Sequence, residues 1–199
     1  MLKLTTAHTG KMKNIWSLST STKTNPNCER NAQIKGSVCE KCYARKQMKM
    51  YKQMSPCYER NAEILTSRLL DDNELPTVPV IYFRFEAFGD LINWVQCANY
   101  FRIARKNPQT KFCLFTKNPR IVSEAVEAGE KKPRNLVIVQ SSLFLNQQAK
   151  PANKYIDKVF TVYDNCDGVE ISCGARNCFE CHKCYKKTRD VEYINEKLK

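Results

Sequence analysis

Residues 78–116 read VPVIYFRFEAFGDLINWVQCANYFRIARKNPQTKFCLFT. Val78 to Phe85 is an apolar run rich in β-branched and aromatic residues and reads as a strand; Leu91 to Lys106 reads as a helix, and Lys111 to Thr116 as a second strand. A strand, a helix and another strand at this spacing make a βαβ unit, which implies parallel strands joined by right-handed crossovers. The same rhythm continues downstream. Pro119 to Ala128 is a helix opened by proline in its first turn, and Asn135 to Gln140 and Lys158 to Tyr163 are further short strands. Leu143 to Tyr155 is interrupted by Pro151 and reads as loop.

Upstream the signals weaken. Met48, Tyr51 and Met54, then Ala62, Leu65 and Leu69, recur at helical steps between Cys42 and Leu70, and Pro56 is expected to divide that region into two helices. Met1 to Val38 is polar apart from Ile15, Trp16 and Leu18, enough for one short strand. The fold expected from this rhythm is α/β with parallel strands, spanning residues 1–165. Residues 166–199 are expected to form a cysteine-rich, metal-binding tail.

A chain of 199 residues, 42% hydrophobic, suits one domain with a real core and excludes a disordered or fibrous protein. No stretch reaches the roughly 18 apolar residues of a membrane span, and Met1 to Asn14 lacks the apolar core of a secretory signal. The expectation is a non-membrane, cytoplasmic protein. Its 33 Lys and Arg against 20 Asp and Glu leave a net charge of +13, which favours an anionic partner, either nucleic acid or a phosphorylated small molecule.

In parallel α/β sheets ligands meet the carboxyl ends of the strands. Those ends here are polar: Arg84, Glu86, Gly89 and Asp90 after the first strand, Lys117 and Asn118 after the second, and Ser141 after the third. They are the candidate cofactor- or substrate-binding residues; no catalytic residue is singled out.

Eleven cysteines carry the second signal. Cys97 and Cys113 sit inside a predicted helix and strand and read as small buried hydrophobes, and Cys57 as a helix-terminal thiol. Cys28, Cys39 and Cys42 form C-x10-CxxC, three potential thiolate ligands that leave a fourth metal position open. Cys173, Cys178, Cys181 and Cys184 form C-x4-CxxCxxC. That packing resembles the run that wraps an iron–sulfur core more than the paired knuckles of a zinc ribbon, with zinc or redox use as alternatives. His182 lies between two of these cysteines and is expected to point away from them.

Several of these pieces occur in a recognisable order: Lys11-Met12 with Ser17-Leu18, Cys28, Cys39, Cys42-Tyr43-Ala44, FRFEAFGDL at 83–91, FTKNP at 115–119, NLVIVQSS at 135–142, and the final CxxCxxCY. Together they resemble the phage gene product 88 family, small proteins similar to radical S-adenosylmethionine (SAM) enzymes. That resemblance implies a partial (βα) barrel of about four to six parallel strands over residues 1–165, a 4Fe-4S cluster held by Cys28, Cys39 and Cys42 with SAM on the open iron, and an auxiliary cluster on the tail. The usual trio is spaced CxxxCxxC, whereas the first gap here is ten residues.

Two other functions fit the residues. Lys41, Arg45, Lys46, Lys49 and Lys52 beside the first group, and Lys183, Lys186, Lys187 and Arg189 beside the second, with Tyr43, Tyr51 and Tyr185 among them, would suit a metal-stapled nucleic-acid-binding module. Two clusters in one chain would also suit electron transfer.

Overall fold

Six parallel strands lie side by side in their order along the chain, with one antiparallel strand at the leading edge. The computed structural model describes residues 1–198. Its elements are β1 (Thr5–Thr6), β2 (Trp16–Leu18), α1 (Pro26–Ala32), α2 (Tyr43–Met50), α3 (Met54–Ser67), β3 (Tyr82–Phe85), α4 (Trp94–Lys106), β4 (Lys111–Thr116), α5 (Arg120–Glu127), β5 (Leu136–Ser141), β6 (Lys158–Tyr163), α6 (Cys178–Cys181) and β7 (Glu192–Lys197). The sheet runs β1 to β7 in sequence order and is not closed; only β1 and β2 pair antiparallel. No helix among the described residues is long and apolar enough to cross a membrane.

The alternation of side chains along the strands separates two cores. Phe83, Phe85, Phe112, Leu114, Leu136, Ile138 and Val159 face the helices, meeting Leu65 of α3, Tyr100 and Phe101 of α4, and Ile121 and Val122 of α5. The intervening residues face the other way. Cys113, Val137 and Val139, with Tyr82, Phe115 and Phe160 beside them, are covered by Ile15, Tyr185, Cys178 and Cys184. The connection from β6 to β7 therefore passes over the face that the helices leave bare. Because the strands advance in one direction across the sheet, this crossover has the opposite hand to the helical ones, against the usual rule.

The sequence-predicted strands and helices recur with shifted ends, each for a local reason. β3 begins at Tyr82 rather than Val78, because the Val78 N–H donates to Asn107 Oδ1 and the Thr110 hydroxyl donates to the carbonyls of Val78 and Val80; side chains have taken the ladder's groups. α4 begins at Trp94 because Asn93 caps it, accepting from the Gln96 N–H, while Gln96 accepts from the Ile92 N–H. Pro56 does not divide the α2–α3 region. It sits in the first turn of α3, where its missing N–H has no partner to lose, and the break lies at Tyr51–Gln53.

Four elements have no counterpart in the sequence reading: β1, α1, α6 and β7. The last strand lies within the cysteine-rich tail and pairs with β6 along all six residues. Its first residue, Glu192, accepts a bond from Lys158 Nζ, a lysine on β6 that is fully buried.

Candidate functional site: two cysteine groups on one sheet

The loop after β3 organises the carboxyl edge. Glu86 is buried with a positive φ of 56°, and its carboxyl group accepts bonds from the Thr20 N–H at 3.2 Å, the Thr20 hydroxyl at 3.0 and 3.1 Å, Gln96 Nε2 at 2.6 Å and the Tyr100 hydroxyl. Asp90, also buried, accepts from the Leu91 N–H at 2.7 Å, the Thr116 hydroxyl at 2.6 Å and the Lys117 N–H at 2.9 Å. The two carboxyl groups thus tie β2, β3, β4 and α4 together at one end. Gly89 lets the loop close: a Cβ there would stand 2.4 Å from Thr20 Oγ1, 2.6 Å from the Thr20 carbonyl and 2.7 Å from Glu86 Oε2.

Burial pushes the Glu86 carboxyl up to about 8, against the pull of its donors. Its ordinary value is 4.5, so between those limits the folded chain holds a proton that the unfolded chain has lost. Stability must then fall as pH rises through that window, by up to about 1.4 kcal/mol per unit. Glu86→Gln carries no titrating group and should flatten this slope. Urea midpoints at pH 6 and pH 8 check it: the wild type is expected to lose more stability than the variant, and equal losses would refute the assignment.

The first cysteine group hangs from this loop. Asn25 caps α1 through bonds to the Asn27 and Cys28 N–H groups, and its Nδ2 donates to the Asp90 carbonyl at 2.7 Å; Asn27 Nδ2 donates to the Leu91 carbonyl at 3.0 Å. Those bonds fix Cys28, the third residue of α1, over the strand ends. Tyr43 donates its hydroxyl to the Ala87 carbonyl, holding the start of α2 and therefore Cys42, its N-cap residue. The Val38 N–H donates to the Leu143 carbonyl, which brings Cys39 to the end of β5.

Three segments are thus gathered at one edge, where the Cys42 N–H donates to the Cys39 carbonyl at 3.3 Å, the Ser37 hydroxyl to the Asn31 carbonyl at 2.8 Å, and Arg45 of α2 reaches Glu29 of α1 at 4.0 Å. Burial, and then the charges of Asp90, Glu86, Cys39 and Cys42, push the Cys28 thiol well up. Burial also raises Cys39, while Lys117 and Arg45 pull it down.

The second group lies on the bare face. Cys173, Cys178, Cys181 and Cys184 all line one cavity, together with Lys11, Met12, Arg84 and Cys113. α6 is capped by Asn177, and His182 ends it with φ at 39°, which turns the chain sharply enough for Cys184 to come back to the same cavity. The His182 ring stacks on Tyr82 at 5.3 Å between centroids. The Cys178 N–H donates to the Lys11 carbonyl at 2.8 Å, while Lys11 Nζ donates to Cys173 Sγ at 3.1 Å and to Glu196 at 2.5 Å. The loop between β1 and β2 thereby straps the crossover down. Among the described residues no three of His, Cys, Asp and Glu converge as a single metal ion requires.

Residues 2–191 match the family described as Gene product 88. The chain belongs to the Gene product 88 family, a family of phage gene products. No curated protein and no solved structure matches it.

In this Gene product 88 chain the residues expected to bind a ligand divide among three places. Glu86 and Asp90 are interior staples with their oxygens engaged, and Gly89 is the turn between them. Lys117, Asn118 and Ser141 are half-buried along the strand ends, on the rim beside Cys39. Arg84 belongs to neither place: it alternates with Phe83 and Phe85 on β3, points to the other face and lies in the second cysteine cavity. Cys97 is buried in the helix-side core as expected, and Cys57 is half-buried within α3. Cys113 is buried too, but against the second group.

The sequence reading missed Thr20, Gln96 and Tyr100 around Glu86, and only the Asn93–Gln96 capping pattern was there to be read. Of the basic flanks, Lys46, Lys49 and Lys52 on and after α2, and Lys186, Lys187 and Arg189 near the tail, are exposed.

Proposed function

We propose that the protein is an iron–sulfur protein, with its principal cluster held by Cys173, Cys178, Cys181 and Cys184. The observation that carries this reading is that all four thiols of the C-x4-CxxCxxC run line one cavity beside Arg84, a half-buried arginine whose Nε is buried without a hydrogen-bond partner. An all-cysteine donor set is soft and suits iron–sulfur clusters or zinc. A polynuclear core spaces its thiolates more widely than one ion does, in keeping with four sulfurs that share a cavity without closing on a single point. When bound, such a cluster supplies one-electron transfer.

Cys28, Cys39 and Cys42 are proposed as a second site with one metal position open. Lys117, Asn118 and Ser141 then form the rim against which a small charged ligand would rest, and the family resemblance makes SAM the candidate. The chain's own contribution there is positional: the Glu86 and Asp90 staples, their oxygens engaged by donors of the protein, hold α1, α2 and the strand ends in register.

The test is iron and acid-labile sulfide content after anaerobic preparation. About four of each per occupied group is expected, with a visible sulfur-to-iron absorption band. Cys181→Ser should remove the principal cluster and leave any contribution of the first group, which Cys39→Ser should remove in turn. Colourless protein containing zinc would overturn the reading.

A further inference from the structure

Arg84 is built into the sheet with no counter-charge. Its register in β3 sets it between Ser17 of β2 and Cys113 of β4. The guanidinium lies 3.9 Å over the Phe115 ring, and Nη1 reaches only Met12 Sδ, a weak acceptor, at 3.3 Å. Nε is the one buried side-chain nitrogen or oxygen without a hydrogen-bond partner among the described residues. A guanidinium has five N–H donors and cannot shed its charge, so a half-buried one with Nε sealed off and no anionic partner is left with unmet charge and hydrogen-bonding capacity.

No carboxylate relieves that deficit. Charges that reach Arg84 come from Cys113 and Cys184 thiols and from Tyr43 and Tyr185. Among the described residues no Asp or Glu lines the cavity; the lining groups that can become anionic are cysteine thiols and Tyr185, and four of those cysteines are the C-x4-CxxCxxC run. Lys11 stands at the edge of the same cavity with Nζ on Cys173 Sγ, its charge partly met by Glu196.

We infer that Arg84, with Lys11 in a lesser part, is the interior counter-charge of the second cysteine site: it balances a four-thiolate anionic cluster and sets its reduction potential. This rests on the iron–sulfur reading of that site and names its regulation. A cluster with four thiolate ligands is anionic and becomes more so on reduction, so a fixed positive charge within the same cavity favours the reduced form. Arg84 is a positioning and tuning residue; Met12 and Phe115 hold its plane, leaving its free N–H edge for sulfur.

The test compares anaerobically prepared wild type with Arg84→Met, Arg84→Lys and Lys11→Met, reading iron and sulfide content and the midpoint potential in a dye-mediated titration. Loaded Arg84→Met is expected to be harder to reduce by at least tenfold in the one-electron equilibrium, about 59 mV. Arg84→Lys should stay close to wild type and Lys11→Met should shift less than Arg84→Met. If Arg84→Met fails to load while Arg84→Lys loads at the wild-type potential, the need for charge is equally established.

Arg84→Met loaded at an unchanged potential overturns the inference while leaving the iron–sulfur reading intact. So does failure of both Arg84 variants to load, which would make the residue's role one of shape. Wild type without iron or sulfide overturns the reading on which it rests.

Discussion

Gly89→Ala is expected to lower the unfolding free energy by about 3–5 kcal/mol, the range of mutations that break a buried network. Two effects add. The φ of +84° costs a residue with a side chain about 1–2 kcal/mol by itself. The new methyl would also meet the Thr20 carbonyl, Thr20 Oγ1 and Glu86 Oε2 well inside contact distance, and the first of these is backbone that cannot swing aside. Relief requires moving the Glu86 carboxyl off Thr20, Gln96 or Tyr100, so a buried polar group loses partners as well. Urea unfolding followed by far-UV circular dichroism measures the change. A variant within 1 kcal/mol of wild type, a bound set by ordinary surface substitutions at about 0.5 kcal/mol, would show that the loop has another way to close. Because the same loop backbone anchors Asn25, Asn27 and Tyr43, the variant should also loosen Cys28 and Cys42.

Replacing Cys178 and Cys184 by serine, or stripping metal from the wild type with a chelator, is expected to release the β6–β7 crossover while the rest of the sheet stays folded. Between Asp164 and Val191 the only buried side chain is Tyr185. So little apolar burial does not offset the entropy of ordering this segment, at about 1–2 kcal/mol per residue for the backbone alone. The remaining anchors are the Lys11 strap, the Lys183–Glu192 ion pair, the rings of Phe179, His182 and Tyr185 on Tyr82, the Ser172 and Cys173 N–H groups on the Asn195 carbonyl, and the packing of the two cysteines themselves. On the proposed iron–sulfur reading, metal–thiolate bonds supply the missing hold.

Amide hydrogen exchange read by mass spectrometry should quicken at least a hundredfold in residues 166–191, equivalent to about 2.8 kcal/mol of local stability. Peptides from β3, β4 and β5 should keep their protection, since their helix-side core is untouched. Equal exchange in loaded and stripped protein would show that the crossover stands without metal.

The strands β4 and β5 were legible because each carries a continuous apolar run buried on both faces, and β6 because it is rich in β-branched and aromatic residues, signals that survive any detail of packing. β7 was not, since Glu192-Tyr-Ile-Asn-Glu-Lys197 is polar and only Ile194 is fully buried. It becomes a strand through its ladder with β6 and the bond from buried Lys158 to Glu192. α1 was equally hidden: seven residues with one buried side chain, held by Asn25 and Asn27 reaching a loop more than sixty positions away.

The candidate site divides in the same manner. The cysteine spacings could be read as ligand sets, and the structure places all four of the C-x4-CxxCxxC run on one cavity. That Glu86 and Asp90 face inward while Arg84 faces the cysteines could not be read.

Composition and local pattern by themselves determined a parallel α/β core and two clusters of thiols, because strand-forming runs and short-range Cys spacing are local properties of the chain. Which face each polar side chain takes, and that the last crossover runs over the sheet with reversed hand, were decided only in three dimensions. The physical reason is that one residue's step along a strand turns a side chain to the opposite face. Register and long-range anchoring set that step, and both depend on residues distant in the sequence.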